Sequence, residues 1–100
     1  MATKPNIRKG HRAFVTKTKT DVQKELRGDE PDELLLRSLQ TTLTEKMERL
    51  KILDEEILET LTEEADILAE IERCSEIRRD MQKCVFSIDG FFKGKGTFDE

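Results

Sequence analysis

The chain has 100 residues, of which 35% are hydrophobic and 40% charged, with two prolines, five glycines and a net charge of −4. A chain of this length buries one modest core, which excludes a multidomain enzyme with a cleft between lobes. The scarcity of proline and glycine beside many Leu, Glu, Lys and Arg residues favours long helices over a β-sandwich or a disordered tail.

Charge is distributed unevenly along the chain. Residues 1–20 carry six basic residues and no acid, residues 21–80 carry nineteen acidic against nine basic residues, and residues 81–100 carry three of each. The sequence therefore consists of a basic arm and an acidic body. The arm either binds a polyanion or neutralises the acidic helices of its own domain.

Five side chains of the arm are candidates for contacts with nucleic-acid phosphates. They are Arg8, Lys9, Arg12, Lys17 and Lys19. Phe14 stands alone among them, and base stacking needs interleaved aromatic residues. Any binding of RNA or DNA by this arm is therefore predicted to be weak, independent of sequence and strongly dependent on salt.

The first predicted element is a helix over residues 8–27. Residues 1–7 show no periodicity and are expected to form a flexible lead-in. Val15, Val22 and Leu26 recur at helical spacing, but this apolar face is thin. The helix is therefore expected to depend on packing against the rest of the domain.

The next residues carry the clearest turn signal of the chain. Gly28 is a natural stop for the first helix, and Asp29 and Glu30 can cap a second helix that has Pro31 in its first turn. A helix–turn–helix connection is therefore expected here.

A sustained heptad pattern follows from Leu34 onward, and twelve of the sixteen a and d positions are apolar. Such a stripe indicates helix packing on helix and therefore an all-α fold. The residues of the predicted core seam are Leu36, Leu39, Leu43, Leu50, Leu53, Ile57, Ile67, Ile71, Cys74, Met81, Val85 and Ile88.

Two architectures accommodate this stripe. A capping-box pattern from Thr60 to Glu63 predicts a turn, with helices over 31–60 and 63–88 forming an elongated antiparallel hairpin. The first helix would complete a three-helix bundle. The alternative is one continuous helix over 31–88 in a coiled-coil dimer, because no Gly or Pro interrupts the heptad phase.

The expected bundle spans residues 8–89, and residues 90–100 are expected to form a flexible tail rich in Gly and Phe. Within the tail, Phe91 and Phe92 either fold back onto the end of the bundle or form an apolar peptide that binds a partner.

Residue patterns that support catalysis or metal binding do not emerge from the sequence. It contains no Gly-rich phosphate loop and no nucleophile elbow, and the single histidine, His11, lies in the arm. Cys74 and Cys84 are ten residues apart on one predicted helix, which places them about 15 Å apart and beyond disulfide reach. We therefore expect two reduced core thiols, and neither an enzyme nor a cofactor, metal or small-molecule site.

The sequence also bears on the compartment. No apolar run approaches the roughly 20 residues that a membrane-spanning helix needs, and the first residues lack the hydrophobic stretch of a secretory signal. An intracellular protein, cytoplasmic or nuclear and not inserted in a membrane, is the resulting expectation.

Residues 8–89 resemble a known family. The run from Arg8 to Lys17 (RKGHRAFVTK), a short acidic turn and the charged Leu-rich stretch ending in Asp54-Glu-Glu-Ile57 are similar to the N-terminal Gag-like helical region of BEL/Pao-type LTR retrotransposon polyproteins. The resemblance implies a structural, self-associating or scaffold role. The expected function is a non-enzymatic, Gag-like assembly module that binds a protein partner or itself. Alternatives are a nucleic-acid-binding protein that uses the arm and a coiled-coil adaptor.

Overall fold

The computed structural model describes residues 3–96, which fold into three helices: α1 (Lys4–Arg27), α2 (Glu33–Leu58) and α3 (Glu64–Gly96). Successive helices run antiparallel, since contacts join the start of α1 to the end of α2 and the start of α2 to the end of α3. The prediction of an all-α three-helix bundle is confirmed. The alternative of one helix over 31–88 is wrong, because the chain reverses between α2 and α3.

α1 begins four residues earlier than the sequence pattern indicates. Thr3 is its N-cap, with a side-chain oxygen that accepts a hydrogen bond from the Asn6 amide at 3.4 Å. Pro5 lies in the first turn, where the absence of an amide hydrogen costs nothing. The expected flexible lead-in over residues 1–7 is thus corrected for residues 4–7, and residues 1 and 2 lie outside the described part.

α1 ends at Arg27 as predicted, although Gly28 does not act as a left-handed cap. Its backbone is extended (φ −71°, ψ 163°), and its amide donates to the Glu25 carbonyl at 3.2 Å. The Glu25 carboxylate also accepts a hydrogen bond from the Asp32 amide at 2.7 Å. The last turn of α1 therefore holds the chain directly ahead of α2.

The cap of α2 is Asp32, not the predicted Asp29 or Glu30. The Asp32 carboxylate accepts a hydrogen bond from the Leu35 amide at 3.1 Å, and helical residues begin at Glu33. A carboxylate at this place satisfies a free amide and lies at the positive end of the helix dipole.

The turn between α2 and α3 lies where it was predicted but is built differently. The Thr60 hydroxyl donates to the Ile57 carbonyl at 2.7 Å, so Thr60 closes α2 instead of capping α3. The Ile67 amide donates to the Glu63 carbonyl at 3.0 Å, which begins the hydrogen-bonded turns of α3. The chain therefore reverses without Gly or Pro because a side chain satisfies an end carbonyl of α2.

α3 continues to Gly96, which corrects the expected flexible tail for residues 90–96; residues 97–100 lie outside the described part. Phe91 and Phe92 are half-buried and pack against the core with their rings edge to face, 5.1 Å apart. The Arg37 guanidinium lies 3.8 Å from the centre of the Phe92 ring. These contacts stabilise the last turns of α3, where glycines with low helix propensity would otherwise end the helix.

The predicted seam agrees with the core at most positions. Leu39, Ile67 and Val85 are half-buried, whereas Ile71 is 44% exposed and its assignment to the core is corrected. The other eight seam residues are buried, and they are Leu36, Leu43, Leu50, Leu53, Ile57, Cys74, Met81 and Ile88. α1 contributes Val15 and Val22 to this core.

The exposure of Ile71 has a geometric cause. Leu36, Leu43, Leu50 and Ile57 face inward on α2 at intervals of seven residues, and Ile71 continues this spacing on α3. The inward face of α3 instead follows Cys74, Met81, Cys84 and Ile88. Because the chain reverses between α2 and α3, the rotation of α3 about its own axis is independent of that of α2. The seven-residue spacing nevertheless continues in the sequence across the connection. The predicted seam therefore stays in the core on α3 at Cys74, Met81 and Ile88, and the shift of the core face exposes Ile71.

The bundle is elongated. Its extents are 54 × 29 × 18 Å and its radius of gyration is 16.3 Å, compared with about 13 Å for a typical domain of this length. Among the described residues, no helix combines the length and apolar character needed to cross a membrane.

Candidate functional site

A group of charged side chains lies where all three helices meet, and we call it the ion cluster. α1 contributes Arg8 and Arg12, α2 contributes Asp54, and α3 contributes Glu70, Cys74 and Arg78. Residues four apart on a helix lie on one face, which is how α1 presents two and α3 three of these side chains to the same point.

Asp54 is the centre of the ion cluster, with a side chain only 8% exposed. Its carboxylate lies 3.2 Å from the Arg8 guanidinium, 3.5 Å from that of Arg12 and 3.7 Å from that of Arg78. A carboxylate this deeply buried is stable only when it is paired and hydrogen-bonded. Asp54 therefore needs arginines from both neighbouring helices.

Glu70 shares the same arginines from the opposite side. The Arg8 guanidinium donates a hydrogen bond to the Glu70 carboxylate, and the Cys74 thiol donates to it at 3.4 Å. Burial alone would raise the pKa of Glu70, but these hydrogen bonds and the charges of Arg8 and Arg12 lower it below its ordinary value. For Arg8, burial is likewise outweighed by Glu70 and Asp54, so its pKa is raised. Both groups are charged in the folded protein.

Cys74 is an unreactive thiol in this setting. Burial, together with the negative charges and hydrogen bonds of Asp54 and Glu70, raises its pKa to about 12. Since the thiolate is the nucleophile, a thiol that stays protonated at neutral pH does not attack a substrate. Burial also raises the pKa of Cys84, against the opposing charge of Lys19, and both thiols are free.

The ion cluster includes a set of potential metal ligands. Oxygen and sulfur atoms of Asp54, Glu70 and Cys74 lie within 4.8 Å of one another. One guanidinium nitrogen of Arg8 contacts all three, at 3.2 Å from Asp54, 3.9 Å from the Cys74 sulfur and hydrogen-bonded to Glu70. The guanidinium thus supplies the positive charge at the place that a cation would take. We assign the cluster a structural role.

The sequence did not predict the ion cluster. A signal was present in the spacing: Arg8 and Arg12 are four residues apart, and so are Glu70 and Cys74. Such pairs mark helix faces of opposite charge that can pack together. Because the partners are far apart in sequence, only the arrangement of the helices reveals that they meet at Asp54.

The structure does not bring the five candidate phosphate contacts together. Arg8 and Arg12 point into the ion cluster, and Lys19 pairs with Asp80 on α3 at 3.8 Å. Lys9 and Lys17 are exposed, and no ion pair within residues 3–94 involves them. Most of the basic side chains of the arm therefore neutralise acidic residues of the same domain. This is the second of the two roles that the sequence analysis gave for the arm.

Lys46, a polar residue at a predicted d position, also turns toward α1. Its ammonium group lies 3.0 Å from Nδ1 of His11 and 5.1 Å from the centre of the Phe14 ring. Burial and the charges of Lys46 and Arg49 lower the pKa of His11. Because an ammonium group only donates hydrogen bonds, the Nδ1 atom of neutral His11 is the acceptor in this pair.

The second notable feature is a row of side chains along α3, which we call the outer stripe, and all of them are exposed except Ser75, which is half-buried. The side chains follow one another at intervals of three or four residues, and they are Leu68, Ile71, Ser75, Arg79, Gln82 and Phe86. Leu68 is 57% exposed and Phe86 63%. This spacing places the row on one face of the helix, away from the inward face that forms the core.

Comparison of the chain with protein-family models, with characterised proteins and with solved structures gives no match. The resemblance to a Gag-like region therefore stays a prediction from sequence. The ion cluster and the outer stripe are the features from which a function can be argued.

Proposed function

We propose that the protein is a non-enzymatic helical interaction module that binds a protein partner through the outer stripe of α3. The observation that carries the proposal is the exposure of three large apolar side chains, Leu68, Ile71 and Phe86, on one face of one helix. Single exposed apolar residues are normal on protein surfaces, whereas apolar side chains that share one exposed face, here the neighbours Leu68 and Ile71 with Phe86 further along, are typical of a binding site.

The dimensions of the outer stripe suit a helical partner. From Leu68 to Phe86 the helix advances about 27 Å. A partner helix recognises such a face through anchors spaced by three, four or seven residues. Leu68 and Ile71 would form one group of anchors and Phe86 the other, with Ser75 and Gln82 supplying polar contacts between them.

The ion cluster supports this function by fixing the scaffold. It ties α1 to both arms of the hairpin near their connecting turn, so α3 is held in one register. A shift of α3 that separated these charges would leave one of them buried and unpaired, which is strongly destabilising. A face presented by a fixed helix needs little ordering when the partner binds.

An assembly or scaffold role is also what the resemblance to a Gag-like region implies. We keep the retroelement origin as part of the proposal, with the short motif near the start of α1 and the Leu-rich α2 as its support. A coiled-coil adaptor would use the same surface, so the two differ in the partner and not in the site.

Site-specific photo-crosslinking tests the proposal. Variants that carry a photoreactive amino acid in place of Leu68 or Phe86 are expressed in cells and irradiated there. Thr41 and Glu48, on the exposed face of α2, are the control positions. We expect protein adducts at the two stripe positions and none at the control positions. Equal yields at all four positions, or no adduct at any, would contradict an interaction surface on α3.

A further inference from the structure

We propose that the partner of the outer stripe is the same stripe of a second copy of this chain, with the two α3 helices antiparallel. The inference rests on the proposed function, because it names the partner of the surface assigned there. Two independent properties of α3 point to it: the placing of its exposed apolar residues and the placing of its charges.

Two of the three exposed apolar residues of the outer stripe are placed symmetrically on α3. Leu68 and Phe86 each lie nine residues from Ile77, whereas the position that matches Ile71 is Lys83. When two such helices pack antiparallel about the level of Ile77, whose own side chain packs on the core, Leu68 of each copy faces Phe86 of the other. The same register places Ser75 opposite Arg79. A dimer with a two-fold axis requires such matched positions, since the same surface of each copy must complement itself.

Charges on α3 are divided between its halves with opposite sign. Outside the ion cluster, which includes Glu70 and Arg78, residues 64–76 contain four acidic residues and one basic residue, and residues 77–93 contain three basic and two acidic residues. An antiparallel pair places the acidic half of each helix against the basic half of the other. A parallel pair would place like charges together, which costs stability and disfavours that arrangement.

Glu72 and Arg79 are the pair of opposite charges that best tests this arrangement. Both are exposed and lie on the solvent edge of the outer stripe. In the antiparallel register, Glu72 of one copy comes within one helical turn of Arg79 of the other, and the two-fold axis repeats this pair. Within one chain the two residues are seven positions apart, or about two turns, which is too far for a direct ion pair along the helix.

Self-complementarity selects a second copy over an unrelated helix. An unrelated partner would need only anchors for Leu68, Ile71 and Phe86, and it would place no requirement on the order of charges along α3. A match of the acidic half to the basic half, about the same midpoint that relates Leu68 to Phe86, is needed only when the helix pairs with itself. A single helix pair buries little surface, so we expect a dissociation constant of roughly micromolar order or weaker.

Sedimentation equilibrium of the full chain over a range of concentrations tests the pairing. The native chain should rise in mass from 11.6 kDa toward twice that value. We expect Glu72→Lys and Arg79→Glu each to weaken the dimer by about tenfold or more, because each places like charges at both symmetric contacts. The double variant Glu72→Lys/Arg79→Glu should regain dimerisation, and an equimolar mixture of the two single variants should form heterodimers.

The outcomes separate this inference from the proposed function. Rescue in the double variant and in the mixture supports the antiparallel pair, and circular dichroism of each variant verifies that the helices are intact. A mass that stays at 11.6 kDa at all concentrations overturns the pairing. So does a dimer that both charge reversals leave unchanged. In either case, crosslinks from Leu68 or Phe86 to another protein would leave the interaction module standing.

Discussion

Arg8 of α1 and Asp54 of α2 form a hydrogen-bonded ion pair of 3.2 Å across 46 residues of sequence. Their side chains are 11% and 8% exposed, so both charges are largely removed from water. α1 carries only a thin apolar face, with Val15 and Val22 as its buried aliphatic residues among the described part of the chain. The register of α1 on the hairpin is therefore set by charge as much as by apolar packing.

Asp54→Asn should destabilise the bundle strongly. The amide keeps the shape of the carboxylate but removes the charge that compensates the arginines, and leaving one side of a buried ion pair unmatched costs about 2–3 kcal/mol. Urea unfolding followed by circular dichroism measures the change. Glu55→Gln, next in sequence but exposed, is the control and should change the free energy of unfolding by less than about 0.5 kcal/mol. Equal effects of the two variants would show that the ion cluster has no structural role.

How far the sequence predicts the fold can be judged at particular residues. The helix end at Arg27 and the reversal after Leu58 follow from local signals, and most seam residues follow from periodicity. The start of α1 was missed because a single cap, Thr3, extends the helix over residues without an apolar pattern. The continuation of α3 past Ile88 was missed because the packing of Phe91 and Phe92 outweighs the low helix propensity of the glycines.

The candidate site was predicted less well than the fold, for a physical reason. Whether Arg8 is free to bind a phosphate depends on what lies beside it, and its neighbours Asp54 and Glu70 come from other helices. The outer stripe was hidden in the same way. Ile71 continues the heptad pattern, and only the rotation of α3 after the turn makes it a surface residue.

Leu43→Ala and Ile71→Ala test this rotation directly. Both residues belong to the predicted core seam, but Leu43 is fully buried and Ile71 is 44% exposed. We expect a loss of about 2–5 kcal/mol for Leu43→Ala from the lost burial and the cavity, and less than about 1 kcal/mol for Ile71→Ala. Thermal unfolding at low protein concentration, where chains do not associate, measures both. Similar losses of unfolding free energy for the two variants would mean that Ile71, like Leu43, faces the core.

The stability of the bundle should fall on mild acidification because of His11. Its pKa is lowered in the folded state by burial and by Lys46 and Arg49, so the unfolded chain binds a proton more readily. Stability is therefore complete above the ordinary pKa of 6.5 and decreases as the pH falls from 6.5 toward the folded value. Urea midpoints at several pH values from about 8 to 5 measure the slope. His11→Gln should remove most of this slope, and an unchanged slope would assign it to other groups.

Neither cysteine should react with a thiol reagent while the bundle is folded. Cys74 and Cys84 are buried, and both thiols have raised pKa values, that of Cys74 reaching about 12. Because the thiolate is the reactive form, labelling at pH 8 should be slower than in the urea-unfolded chain by roughly a hundredfold or more. Mass spectrometry after timed quenching counts the labels. Rapid labelling of Cys74 in the native chain would mean that the ion cluster opens readily.

Any binding of nucleic acid should depend on Lys9 and Lys17, since Arg8, Arg12 and Lys19 are engaged in ion pairs. The net charge of −4 repels a polyanion. We therefore expect only weak binding of single-stranded RNA at low salt, lost at about 0.15 M salt, where charges are screened beyond roughly 8 Å. Lys9→Ala/Lys17→Ala should abolish it, and Lys51→Ala on α2 is the control. Fluorescence anisotropy with labelled RNA measures each variant. Binding that survives both the salt and the double variant would require the ion cluster to release its arginines, and Asp54 would then be left buried without its counterions.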